Sequence, residues 1–190
     1  MSRSDDLYRL PPGLPAPADD GACDHLPGME LPSLALPSTG GAAVDPGRLP
    51  GRVVLFFYPR TGRPDAEIPE RWNAIPGARG CTPQACAFRD RHREIGALGA
   101  KVFGVSTQTS AYQREAAERL RLPFDLLSDA DLALTQALRL PTFEFESMTL
   151  IKRLTLVARG GRIEKVFYPV FPPDGNAGEV LAWLRAVPRT

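Results

Sequence analysis

Val53-Val54-Leu55-Phe56-Phe57-Tyr58 is an unbroken run of β-branched, aromatic and leucine side chains that stops at Pro59. A run of this length without polar alternation predicts a central strand covered on both faces. Downstream the period changes. Residues 85–100, "ACAFRDRHREIGALGA", follow a helical spacing, 101–107 ("KVFGVST") read as a strand, and 110–122 ("SAYQREAAERLRL") as a second helix capped by Ser110 or Thr109. A short strand at 124–129 ends at Ser128, the expected cap of a helix over 129–140. Two further strands, 149–158 and 162–170, flank the tight-turn dipeptide Gly160-Gly161, and 175–187 close the chain as a helix.

This order gives a parallel β-α-β unit, another helix, an antiparallel hairpin and a terminal helix. It predicts an α/β fold with a mixed central β-sheet flanked by helices, in one domain over 21–190. Nine of the 20 prolines fall in residues 1–50, which excludes long helices there. Residues 1–20 read as an N-terminal extension for which disorder is an open reading. Residues 60–80, "RTGRPDAEIPERWNAIPGARG", separate a strand from its helix by far more than the usual ~2–6 residues, and so read as an inserted loop, functional or a surface cover.

Composition narrows the function. With 43% hydrophobic and 24% charged residues and a net charge of +1, the chain has the profile of an ordinary globular domain and no electrostatic reason to bind nucleic acid or an acidic membrane. No apolar run approaches the ~20 residues of a membrane span, and "MSRSDDLYRLPPG" lacks the apolar core of a secretory signal, so a cytoplasmic location is expected. In a reducing compartment, three cysteines with two of them close together point to redox or metal chemistry before a structural staple.

Cys81 and Cys86 stand in "GCTPQAC". Pro83 suits a first helical turn, which puts Cys81 at the helix start, where unpaired backbone N–H groups favour an anion. A reactive thiolate is therefore expected at position 81. At ~100° per residue Cys81, Ala85, Phe88, His92 and Ile95 share a stripe, while Cys86 lies ~140° away with Arg89 and Arg93. The ~7.5 Å rise between the two cysteines exceeds the ~7 Å limit for a disulfide, so a bond between them requires the first turns to unwind.

The chain resembles the peroxiredoxins, specifically the peroxiredoxin Q or bacterioferritin comigratory protein subgroup of the AhpC/TSA superfamily. The resemblance rests on "VVLFFYP", "GCTPQACAFRD", "KVFGVST", "LPFDLLSD" and "KRLTLVARGGRI" in that order, between Leu31 and Leu184. It implies a thioredoxin-like fold and an antioxidant thiol peroxidase for hydrogen peroxide and organic hydroperoxides, acting without a cofactor as a monomer. Cys81 would become a sulfenic acid, Cys86 would resolve it as a disulfide, and thioredoxin or a similar dithiol protein would recycle it. Arg153 matches the family arginine that holds thiolate and peroxide oxygens. The family's Pro-x-x-x-Thr-x-x-Cys departs here: Pro59 lies 22 residues before Cys81, and Ala78 occupies the threonine position. Thr61 is the expected substitute, with Thr82 as a weaker candidate.

Other readings of these residues exist. The alternative function is a copper-binding or delivery module on the same scaffold, disfavoured because His25 and His92 fall outside the late strand-to-helix region where such carriers place a ligand. A disulfide oxidoreductase would need two residues between its cysteines, and this chain has four. Strand alternation puts Ile151, Arg153, Thr155 and Val157 on one face, where partial burial of an arginine demands an anionic partner; Arg79 and Arg139 are rivals. Cys23 reads as a spare thiol, His92 as a packed histidine, Tyr58, Phe56 and Phe57 as core, and the Trp72 loop as a cover of the site or of the surface.

Overall fold

A computed structural model describes residues 6–188. Its main sheet has the order β3-β2-β1-β6-β7, built from β1 (Arg52–Phe57), β2 (Ala100–Ser106), β3 (Leu126–Ser128), β6 (Leu154–Arg159) and β7 (Arg162–Phe167). β1 pairs parallel with β2 and antiparallel with β6, which makes the sheet mixed, as the sequence predicts. Gly160 and Gly161, both at positive φ, turn β6 into β7.

The apolar run of β1 divides by alternation. Val54, Phe56 and Tyr58 enter one core with α2 (Cys81–Ala97) and α5 (Asn176–Ala186); Val53, Leu55 and Phe57 enter another with α4 (Ala133–Leu138) and the chain around Leu26–Leu36. Period-two side chains are buried on both faces because both faces are covered. Each fully buried large apolar side chain contributes about 1.5–3 kcal/mol. Phe56 also stacks on Phe88 of α2, with ring centroids 4.5 Å apart and planes 10° apart. That contact docks the cysteine helix on the central strand.

Four local features depart from the sequence reading. Residues 149–158 do not form one strand: β5 (Met148–Ile151) pairs with β4 (Thr142–Phe145) in a separate hairpin, and the chain breaks at Lys152 and Arg153 before β6. β4 was not predicted; its turn residues Glu146 and Ser147 take positive φ without glycine. The inserted loop contains a single turn of helix, α1 (Glu70–Asn73), whose Trp72 packs with Phe143, Phe145 and Leu150 of that hairpin. α3 (Ser110–Arg119) is capped by Thr109, as expected, but the N-cap position of α4 is Leu132, and Asp129 rather than Ser128 takes up its first-turn N–H groups. Asp129 accepts from the Leu134 and Thr135 N–H groups at 2.9 and 2.8 Å and from the Thr135 hydroxyl at 2.6 Å. The helix starts late because Leu132 holds φ 58°.

Within the N-terminal extension, residues 1–5 lie outside the described residues, and residues 6–20 make contacts with the body. The Asp6 carbonyl accepts from Arg79, Arg119 donates to the Tyr8 hydroxyl, and Lys152 pairs with Asp20 at 2.8 Å. Asp129→Ala should leave these first-turn N–H groups of α4 and the Thr135 hydroxyl without their partner. The expected loss is about 2 kcal/mol of unfolding free energy in a urea titration.

Candidate active site

Cys81 is the first residue of α2, and the residue before it, Gly80, holds φ 108°. Only glycine suits that position: besides the left-handed backbone, an added Cβ would sit 2.7 Å from Pro173 Cγ and 2.8 Å from Leu10 Cδ2. No side chain caps the helix; Pro83 has no N–H and that of Gln84 donates to the Gly80 carbonyl at 3.0 Å, so Cys81 and Thr82 are the first-turn residues whose N–H groups can face an anion. Cys81 is 5% exposed.

Arg153 reaches it from the break between β5 and β6. Its Nη2 lies 3.2 Å from Cys81 Sγ, 3.1 Å from the Ala78 carbonyl and 3.4 Å from that of Arg79, while Nε donates to Gly77 at 3.2 Å. Nη1 donates to Gln84 Oε1. Gln84 in turn donates to Asn176 Oδ1 at 3.0 Å, which also accepts from Thr155 at 2.7 Å. Arg153 is 3% exposed, and among the described residues no carboxylate forms an ion pair with it. A buried cation surrounded by neutral oxygens lacks a counter-charge, and the sulfur is the group in contact that can supply one.

The other expected residues fall as follows. Pro59 is buried at the end of β1, and Thr61 is 2% exposed. The Thr61 hydroxyl donates to Gln108 Oε1 at 3.1 Å, and the Thr61 N–H donates to the same oxygen at 2.8 Å. The inserted loop begins immediately before it, at residue 60, and Gln108 holds that start in place. At the family's threonine position Ala78 offers only its carbonyl, which accepts from Arg153 and lies 3.8 Å from the Cys81 thiol. Thr82 is buried beside the cavity above Cys81. Of the rival arginines, Arg79 lines that cavity, whereas Arg139 is exposed at the end of α4.

Cys86 is half-buried on the same intact helix, and all three cysteines are free. Burial pushes the Cys86 thiol up, against the opposing pull of the Arg89 guanidinium. Cys23 is buried, and desolvation with the nearby Asp20, Asp19 and Asp24 carboxylates pushes its thiol up to about 12. His92 packs against Phe124, His25 Nε2 meets the Leu138 carbonyl at 2.9 Å, and the buried Tyr58 donates to Gln113. Sequence reasoning missed Gln84, Asn176 and Thr155. Their only signal was a polar residue within an apolar strand or on a buried helix turn.

Fold and site together define a thiol-based peroxidase on a thioredoxin-like scaffold. The Redoxin family matches residues 26–181. Peroxiredoxin Q, chloroplastic, of Oryza sativa subsp. japonica is 32% identical over 162 residues, which are 84% of this chain and 67% of the rice protein. Among solved structures, peroxidoxin BcpB of Mycobacterium tuberculosis superposes with TM-score 0.70 at 29% identity, covering 85% of this chain and 97% of that one. Bacterioferritin comigratory protein of Xanthomonas campestris, described for its alkyl peroxide reduction activity, does so with TM-score 0.66 at 25% identity, over 83% and 96% of the two chains. The chain belongs to the Redoxin family, as a peroxiredoxin Q-like member of the AhpC/TSA superfamily, and is a thiol-dependent peroxidase. Nothing in these comparisons favours copper delivery. Among the described residues no three His, Cys, Asp or Glu side chains are grouped to hold a metal, and no helix is long and apolar enough to cross a membrane.

The contrast between the cysteines is testable by limited alkylation. At neutral pH roughly one Cys23 in 100,000 is ionised if its thiol titrates near 12, so iodoacetamide should label Cys81 well before Cys23 in the folded protein. Peptide mass spectrometry that found Cys23 labelled first would contradict this placement.

Proposed function

We propose that Cys81 is the peroxidatic nucleophile, Cys86 the resolving thiol and Arg153 the group that holds the charge of the reacting sulfur and oxygens. The Cys81 thiolate attacks the distal oxygen of a hydroperoxide; the O–O bond breaks, the S–O bond forms, and the leaving alkoxide or hydroxide takes a proton to give an alcohol or water. The sulfenic acid then condenses with the Cys86 thiol, releasing water and forming the disulfide. A dithiol protein of the thioredoxin type returns both thiols by exchange, itself becoming a disulfide. Hydrogen peroxide and organic hydroperoxides are the substrate class, in line with the description of the Xanthomonas relative.

One observation carries the reading: a buried guanidinium without a carboxylate lies 3.2 Å from a cysteine sulfur at a helix N-terminus. The resolving step needs movement, because α2 is continuous through both cysteines, and its first turns must open for the sulfurs to meet. Pro59 and Thr61 are assigned to framing: Gln108 holds Thr61, and its neighbours Arg60 and Gly62 line the cavity over Cys81. A monomer suffices, since one chain supplies sulfur, guanidinium and cavity. A cycle that ends on a dithiol reductant fits a reducing compartment such as the cytoplasm.

Cys81→Ser should abolish peroxide consumption with thioredoxin and its reductase. Cys86→Ser should consume one equivalent and stop with sulfenic acid trapped by dimedone. Turnover that survives in Cys81→Ser overturns the assignment.

A further inference from the structure

The space above Cys81 is small, and its walls come from the N-terminal extension and the 60–80 insertion. The cavity measures about 50 Å³, and Leu7, Gly62, Ile68, Pro69 and Trp72 line it with Cys81 at its floor. Roughly 10–15 Å³ of such space holds one water, so this cavity admits about three or four water-sized groups. Leu7 belongs to the N-terminal extension, and the other wall residues belong to the 60–80 insertion. The Mycobacterium structure is covered over 97% of its length but only 85% of this chain, so this chain carries length that its neighbour lacks.

The walls contact one another and the body of the fold. An added Cβ on Gly62 would meet Leu7 Cδ2 at 2.8 Å, which shows how closely the leucine is seated on the insertion. Arg119 ties the two segments together, donating to the Tyr8 hydroxyl at 3.3 Å and to the Gly62 carbonyl at 3.1 Å. Arg79 donates to the Asp6 carbonyl at 2.9 Å. On the far side Trp72 meets Phe145 edge-on, with centroids 4.9 Å apart, and so is anchored to the β4–β5 hairpin.

We propose that Leu7, Ile68 and Trp72 form a size filter that restricts this peroxidase to hydrogen peroxide and the smallest hydroperoxides. The inference rests on the peroxidase reading above and narrows its substrate class. Hydrogen peroxide fits between the sulfur and these side chains. The phenyl ring and methyl groups of cumene hydroperoxide would have to displace Leu7 or Ile68 before the distal oxygen came in line with the sulfur, and a small misplacement of reacting atoms is costly in rate.

The test is the second-order rate constant for Cys81 oxidation, followed by stopped-flow tryptophan fluorescence on the full-length protein, with hydrogen peroxide and with cumene hydroperoxide. The wild type should favour hydrogen peroxide by about a hundredfold, and Leu7→Ala/Ile68→Ala should narrow that ratio by about tenfold or more. Both side chains lie outside the two main cores; if the double variant fails to fold, Leu7→Ala alone should still narrow the ratio. Equal rates with both peroxides in the wild type, or an unchanged ratio in a folded variant, overturn the filter while leaving the peroxidase reading intact. Failure of both peroxides to oxidise Cys81 overturns that reading, and the filter with it.

Discussion

The site depends on one buried cation. Arg153 is held away from solvent by neutral oxygens: the carbonyls of Gly77, Ala78 and Arg79 and the amide of Gln84. These satisfy its N–H groups but leave its charge uncompensated, and removing one partner of a buried charge pair typically costs about 3–5 kcal/mol. A thiolate at Cys81, as the proposed peroxidatic role requires, would supply the missing charge at 3.2 Å. The chemistry of the sulfur and the stability of the guanidinium are therefore two sides of one interaction. The chain Gln84–Asn176–Thr155 extends it into α5 and β6, so the sheet and two helices all position one nitrogen.

The same constraint organises the approach to the sulfur. The three carbonyls that hold Arg153 sit at the end of the 60–80 insertion, next to the glycine that starts α2. The insertion thus ends as part of the site, and its Trp72 packs on the hairpin that precedes Arg153 in the chain. The N-terminal extension closes the arrangement, with Leu10 against Gly80 and the Asp6 carbonyl on Arg79. A disulfide between Cys81 and Cys86 would have to open the helical turn on which these contacts converge.

Much of this was legible in the sequence where a local rule applies. The run 53–58 announced a doubly covered strand, "GCTPQAC" a cysteine at a helix start, and Gly160-Gly161 a tight turn. Motif order announced the family. What escaped depends on tertiary contacts. Arg153 was expected at a strand position, but the chain leaves the sheet there, since Ile151 belongs to one sheet and Leu154 to the other. Alternation cannot register that break. Thr61 was expected as the substitute for the family threonine, but the bond its hydroxyl donates to Gln108, 47 residues on, had no signal in the sequence. Leu7 gave no signal, because a lone leucine among prolines and charges acquires a role only when the insertion folds beneath it.

The central claim is that sulfur 81 and guanidinium 153 stabilise each other, and a double-mutant cycle on the reduced protein tests it most directly. Unfolding free energies of the wild type, Cys81→Ala, Arg153→Met and the double variant would be measured by urea titration at neutral pH. The account predicts that each single change leaves a buried group without its partner, so that the double variant is more stable than the sum of the singles implies, by more than about 1 kcal/mol. Effects that add to within about 0.5 kcal/mol would contradict it.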